Sequence, residues 1–403
     1  MMRRRDAALV AVVTTLALAV TGCSGSDSGD EGADGTEGAQ GATAGASGSS
    51  EPTPDEPAPG ATGSSGAPVA PDEGAVEVVE TVADGLDSPW GLVRLPDGDL
   101  LVGSRDGGTV HRIATASGDV TEVGTVPGVA PEGEGGLLGL ALDPEFASSG
   151  LLFAYYTTAE DNRITAFRYD SSATSGGGLT TDRDLLTGIP RGEFIHHGGG
   201  LAFGPDGMLH AATGDAGEGE GELAQDPDSL AGKILRIDPA TGEPPADNPD
   251  PGSLVYSAGH RNVQGLAWDA EGNLWASEFG QDTWDELNRI EPGRNYGWPL
   301  HEGPGGEADG FTDPIRWWPP DEASPSGLAF QGGSLWLAGL RGERLWRAPL
   351  TDADPEAFLT GEFGRLRAVL AVGDDELLLV TNETDTRGTP SGPDDRVLRL
   401  RVR

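Results

Sequence analysis

The apolar positions of this chain fall into short paired runs rather than helical stripes. "LVRLPDGDLLVGS" (Leu92–Ser104) is an apolar stretch, a Pro-Asp-Gly turn and a second apolar stretch. The phrase returns as "LALDPEFASSGLLFAYYT" from Leu140, "LAFGPDGMLHAATGD" from Leu201, "LAWDAEGNLWASEFG" from Leu266, "LAFQGGSLWLAGL" from Leu328 and "VLAVGDDELLLVTNE" from Val369. Each copy predicts two antiparallel strands joined by a tight turn. A third short run, such as "TVHRI", "KILRID", "ELNRIE", "RLWRAPL" or "RVLRLRV", follows in most copies. Small residues anchor the six copies at Gly91, Gly139, Gly200, Gly265, Gly327 and Ala368, with spacings of 48, 61, 65, 62 and 41 residues. That period suits four strands plus insertions. The expected fold is all-β, a six-bladed β-propeller with four-stranded antiparallel blades; an open array of β-sandwiches is the alternative. The run "AVEVVETVA" from Ala75 precedes the first copy and is expected to pair with the C-terminal strands and close the ring. The chain's 64 Gly and 30 Pro leave little room for long helices.

The ends differ from the repeat. Three arginines, an apolar run from Ala7 to Val20 and small residues after it form a secretory leader, expected over residues 1–22. The apolar run is short for a membrane span. "VTGC" resembles a bacterial lipobox, which implies lipidation of Cys23, the sole cysteine; an ordinary leader with a chance cysteine is the plainer alternative. Residues 23–75 are Gly, Ser, Ala, Pro and acid, too poor in apolar side chains to offset ordering entropy, and read as a tether. The propeller is then expected over 76–403, on the outer face of a bacterial cell membrane and anchored there through Cys23. The formal charge is −40, of which residues 1–75 carry −8 and the remainder −32. Such a surface repels nucleic acid, which is not an expected partner.

Four stretches interrupt the blade pattern with polar residues: "GEGGLLG" (133–139), "FIHHGGG" (194–200), "AGHRNVQG" (258–265) and "SEFGQDTWDELNRIEPGRNYGWP" (277–299). "GLRGERLWR" (339–347) and "GRLRAV" (364–369) add arginines. A propeller gathers such loops at one face. Oxidising an alcohol needs a base and a hydride acceptor, and histidine titrates near neutrality. No GxGxxG follows a strand and opens a helix, so nicotinamide binding is not indicated.

Taken together, "GEGGLLGLALDPEF", "HRNVQGLAW" and "NYGWP" resemble the soluble quinoprotein glucose dehydrogenase family, in particular its aldose sugar dehydrogenase branch, over Val76–Arg403. The resemblance implies a six-bladed propeller that binds pyrroloquinoline quinone and calcium, oxidises aldoses at the anomeric carbon to lactones, and passes electrons to an acceptor the sequence does not identify. It implies His196 as the base and Arg261 and Asn262 over the quinone. Glu134, Arg341, Arg365 and Arg367 are implied as further cofactor contacts. The carbonyls of Gly280 and Gln281 are implied as calcium ligands, with Glu286 and Tyr296 at a further calcium site. Four departures stand out: Ile195 for an aspartate, Gly200 for an arginine, Gln281 for a proline and Arg341 for a lysine. Arginine still grips a carboxylate bidentately.

Plainer readings stand beside these. His196 alone reads equally as a satisfied turn histidine. A zinc site at His196 and His197 is disfavoured, because neighbours on an extended strand face opposite ways and no third ligand clusters with them. The acidic run Gly214–Asp228 reads as a solvated loop, His260 as structural and Trp298 as ambiguous. A cofactor-free binding or scaffold propeller, or a calcium-dependent lactonase-type hydrolase, are the alternative functions. Neither needs a cationic cradle.

Overall fold

The computed structural model describes residues 70–71, 73–173, 176–217, 219 and 221–403. The leader, Cys23 and nearly all of the tether lie outside the described residues. After β1 (Val76–Ala83), the first blade is β2 (Pro89–Arg94), β3 (Leu100–Ser104), β4 (Thr109–Ile113) and β5 (Val120–Thr125). The second is β6 (Leu137–Leu142), β7 (Leu151–Thr157), β8 (Asn162–Tyr169) and β9 (Leu179–Ile189), with a single helical turn, α1 (Phe146–Ser149), between β6 and β7. The third is β10 (Leu201–Phe203), β11 (Leu209–Ala212), β12 (Lys233–Ile237) and β13 (Val255–Ala258). The fourth is β14 (Val263–Trp268), β15 (Leu274–Glu278), β16 (Asp285–Ile290) and β17 (Arg316–Trp318). The fifth is β18 (Pro325–Gln331), β19 (Ser334–Gly339), β20 (Arg344–Pro349) and β21 (Glu356–Phe358). The sixth combines β22 (Leu366–Ala371), β23 (Glu376–Thr381) and β24 (Val397–Val402) with β1, which pairs antiparallel with β24 from Val76↔Val402 to Ala83↔Val397. The fold is the six-bladed propeller expected from the repeat, closed by the segment expected to close it.

The six anchor residues sit together around the axis, lining one channel with Leu92, Leu140, Leu266 and Leu328. Glycine is needed there because the innermost strands nearly touch. A Cβ on Gly139 would lie 2.1 Å from the carbonyl oxygen of Gly199. The apolar faces of the sheets meet between blades. One cluster joins blades one and two through Leu101, Val110, Leu137 and Phe167; another joins blades six and one through Val82, Leu100, Leu378 and Val397. The core is therefore a ring of interfaces, and no blade buries its faces alone.

This topology places the chemistry. In every blade the innermost strand runs antiparallel to the second. The start of one lies beside the end of the other, as in the pairs Pro89↔Ser104, Val263↔Glu278, Pro325↔Gly339 and Leu366↔Thr381. Residues just before an innermost strand and just after a second strand therefore meet at one face of the ring.

Candidate active site

Two neighbouring cavities open on that face. The first, about 230 Å³, is lined by Trp90, Arg105 and Glu134 from blades one and two, by Gln264, Gly280, Gln281 and Asp285 from blade four, and by Arg341, Arg365, Arg367, Asp385 and Arg387 from blades five and six. The second, about 690 Å³, is lined by Ile195, His196, Asp215, Arg261, Gln281 and Trp298, among others. Gln281 lines both. The ring thus gathers Glu134, Arg341, Arg365, Arg367, Gly280 and Gln281 into one cavity, and His196 and Arg261 into the adjoining one.

His196 precedes β10 in irregular backbone, not the extended strand the sequence suggested, with φ at +60°. Such a conformation is costly for a residue with a Cβ and persists where the surroundings enforce it. Here the backbone is clamped. The His196 amide donates to Glu134 Oε2 at 3.0 Å. Gly214 passes so close that a Cβ there would sit 1.9 Å from the His196 carbonyl oxygen. The imidazole Nδ1 lies 2.6 Å from Asp215 Oδ1, an acceptor that favours the neutral tautomer with its hydrogen on Nδ1 and the lone pair on Nε2. Asp215 is buried at 1% exposure and also accepts from the Gly217 amide at 2.8 Å. The expectation of a solvated loop over Gly214–Asp228 therefore fails at Asp215. It comes shortly after β11 (Leu209–Ala212), the second strand of its blade, and that repeat position was the available signal for it. His197 bonds elsewhere, its Nδ1 lying 3.2 Å from Asn162 Oδ1 in blade two. Burial pushes its pKa down to about 4. The two imidazoles thus have separate partners in separate blades.

Arg261 is mostly buried, and burial lowers its pKa while Asp215 and Glu134 pull the other way. Its guanidinium donates to the Phe279 carbonyl at 3.2 Å and stacks over the Trp298 ring, 5.3 Å from the centroid. Asn262 is fully buried, and its Oδ1 accepts from the Gly198 amide at 2.9 Å. On the cradle side, Asp385 Oδ2 takes Arg365 at 2.9 Å and Arg367 at 3.3 Å. Burial opposes the charge on Asp385, but Arg367 and Arg365 outweigh it and lower its pKa. Arg367 also donates to Gln264 Oε1 at 2.9 Å and covers the Trp90 ring at 5.7 Å; burial pushes its pKa down to about 9. Arg387 pairs with Glu134 at 2.9 Å. Arg341 is exposed at the rim. The sequence reading missed Trp90, Arg105, Asp215, Asp285, Asp385 and Arg387. Arg105, Asp215 and Asp385 come shortly after second strands, and Trp90 lies at the start of an innermost strand.

The residues fit an anionic, many-oxygened ligand. Arg261 Nε, Asn262 Nδ2, Arg365 Nε and Arg367 Nε are buried donors with no partner among the described residues, a costly state unless a ligand accepts from them. They fit a hard cation as well. Glu286 is buried with Glu278 close by, and burial first, then Glu278, pushes its pKa up to about 8. Burial likewise pushes Asp285, whose Oδ1 takes the Gly280 amide at 2.9 Å, up to about 6. Asn288 Oδ1, beside both glutamates, has no partner among the described residues. Among the described residues no three His, Cys, Asp or Glu converge as a metal cluster, so carbonyl oxygens would have to complete such a site. Glu286 and Tyr296 line neither cavity. The Tyr296 hydroxyl is committed to the Arg289 carbonyl at 2.6 Å and the Glu291 amide at 2.9 Å. Only the main-chain carbonyl of Tyr296 is left to meet a metal.

Residues 86–389 match the Glucose / Sorbosone dehydrogenase family. The chain belongs to that family. A curated relative is aldose sugar dehydrogenase YliI of Escherichia coli, 33% identical over 273 residues, which cover 62% of this chain and 72% of that one. Quinoprotein glucose dehydrogenase B of Acinetobacter calcoaceticus is 32% identical over 254 residues, 55% of this chain and 52% of the relative. Among solved structures, the PQQ-bound form of aldose sugar dehydrogenase from Streptomyces coelicolor superposes with a TM-score of 0.81 at 58% identity, covering 83% of this chain and all of that one. The Glucose / Sorbosone dehydrogenase match spans all six innermost strands, so it includes every loop that builds the two cavities.

Proposed function

We propose that this protein is a pyrroloquinoline-quinone- and calcium-dependent aldose dehydrogenase that oxidises the anomeric carbon to a lactone. The observation that carries the reading is the junction at Gln281 of a His–Asp pair with an arginine cradle in which the buried Nε donors of Arg365 and Arg367 lack acceptors among the described residues. Arg365, Arg367 and Arg341, with the Asn262 amide beside them, would hold the quinone's acid groups, and Glu134 would be a further contact to the cofactor. The carbonyls of Gly280 and Gln281 would hold calcium next to it, and Glu286 with the Tyr296 carbonyl a further ion. When bound, the quinone supplies the hydride acceptor and calcium the Lewis acid that polarises it.

The chain's own residues do the rest. His196 takes the anomeric hydroxyl proton at Nε2. Asp215 holds the ring in the required tautomer and faces the imidazolium that forms. Arg261, desolvated against Trp298, stabilises negative charge as it develops. Glu134 fixes the height of the His196 backbone. Ile195, in place of an aspartate, lines the sugar cavity with an apolar side chain, so Asp215 is the carboxylate that serves His196. Electrons then leave to an acceptor in the envelope. The leader and lipobox support export and anchoring through Cys23 to the outer face of the cell membrane. Labelling with a radioactive fatty acid in a bacterial host, lost in Cys23→Ala, tests that placement.

Reconstitution tests the chemistry. Apoprotein given the quinone and calcium should reduce a dye in the presence of aldose and release a lactone. His196→Gln should abolish turnover and keep cofactor binding. No turnover under excess cofactor would favour the scaffold reading, and unchanged activity in the variant would remove His196 from the mechanism.

A further inference from the structure

The sequence left Trp298 ambiguous, and in the proposed reaction it serves only to cover Arg261. Its surroundings are specific. The indole Nε1 donates to Asp215 Oδ2 at 2.7 Å, while Asp215 Oδ1 holds His196 Nδ1 at 2.6 Å. The same ring lies under the Arg261 guanidinium, 5.3 Å away. The Trp298 side chain thus touches both Asp215, the partner of His196, and Arg261. A carboxylate held at one oxygen can rotate; held at both, it presents a single oxygen to the imidazole.

The ring is itself fixed from behind. The Trp298 amide donates to the Gly259 carbonyl at 3.0 Å, and its carbonyl accepts from Gln225 Nε2 at 2.6 Å. Gln225 is locked in turn by Asn295, whose Nδ2 donates to Gln225 Oε1 at 2.6 Å. The turn that carries Gln225 is held by the chain's sole lysine. Fully buried, the Lys233 ammonium gives its three hydrogens to the carbonyls of Leu223, Ala224 and Ala231, at 2.8, 3.0 and 2.7 Å. Gly221 in the same turn crosses the indole so closely that a Cβ would lie 3.3 Å from Nε1.

We infer that Trp298 is a positioning residue that joins the His196–Asp215 pair and Arg261 into one rigid unit, with Gln225 and Lys233 as its backing. The inference rests on the functional reading above. Trp298→Phe keeps an aromatic ring under Arg261 but removes the indole N–H together with the five-membered ring that carries it. Gln225→Leu loosens the Trp298 main chain without touching the ring.

Two measurements on the full chain decide it. In apoprotein labelled with ¹⁵N-histidine, the His196 ring signals, assigned by their loss in His196→Gln, should show one tautomer protonated at Nδ1. In Trp298→Phe they should move toward tautomer averaging. In reconstituted protein, kcat should fall about tenfold, the size expected for one charge-assisted hydrogen bond, with KM for aldose changed less than about twofold. Gln225→Leu should move both readouts in the same direction by less, and it carries the test if Trp298→Phe does not fold. Unchanged His196 signals, or altered signals with kcat retained, overturn the inference. If wild-type protein turns over no aldose, the functional reading falls, and the apoprotein spectra still decide whether Trp298 positions His196.

Discussion

Asp215 shows how a single residue acquires a role that its sequence context hides. In "TGDAGEGEGE" it is one acid among several. In the fold it is almost wholly buried, with one oxygen on His196 and the other on Trp298. Asp215→Asn keeps the volume but offers an amide where an acceptor is needed, which favours the wrong imidazole tautomer. The expected outcome is a fall in kcat of about 100-fold or more with cofactor affinity nearly intact. Steady-state dye reduction alongside a cofactor titration by tryptophan fluorescence checks it. A loss of cofactor affinity equal to the loss of kcat would mean that Asp215 shapes the cradle instead.

At the scale of the strand, most polar burial serves the blades. His210 on β11 packs edge-on against Tyr256 and Trp268, with centroids 5.3 and 5.1 Å away. Burial pushes its pKa down to about 4, against the ordinary 6.5. The unfolded chain therefore binds more protons than the folded one between those values, and stability falls as pH drops through that window. The stability that His210 contributes above pH 6.5 is lost progressively as the pH falls toward 4. Urea midpoints measured from pH 7 to pH 4.5 should decline steeply in the wild type and less steeply in His210→Phe. His197 acts in the same direction by the same cause, so part of the slope should survive. A variant with the wild-type slope would show that other groups set the acid limb.

At the scale of the ring, stability depends on closure. The sixth blade is assembled from the two ends of the folded chain, and β1 covers the edge of β24. Removing residues 1–69 should leave thermal unfolding unchanged. Removing residues 1–83 deletes β1, bares the β24 edge and takes Val82 and Ala83 from the interface between blades six and one. The midpoint should drop by about 10 °C or more, with aggregation. Differential scanning calorimetry of the two truncations checks this; equal midpoints would mean that the ring closes without β1.

The sequence by itself determined the number of blades, their order and the face on which the chemistry sits. Strand alternation, turns and anchor glycines are local, and each copy of the phrase repeats them. It also marked His196, Arg261, Arg365 and Arg367, because charge or histidine beside a repeat anchor departs visibly from the blade pattern. Only the tertiary structure decided who meets whom. His196 reaches Asp215 across 19 residues, Glu134 across 62, and Asp215 reaches Trp298 across 83. Those pairings follow from the angle between neighbouring blades and from closure of the ring, which no local pattern encodes. The same closure gives the imidazoles of His196 and His197, adjacent in the chain, partners in different blades, and it buries the Nε donors of Arg261, Arg365 and Arg367 with no acceptor among the described residues.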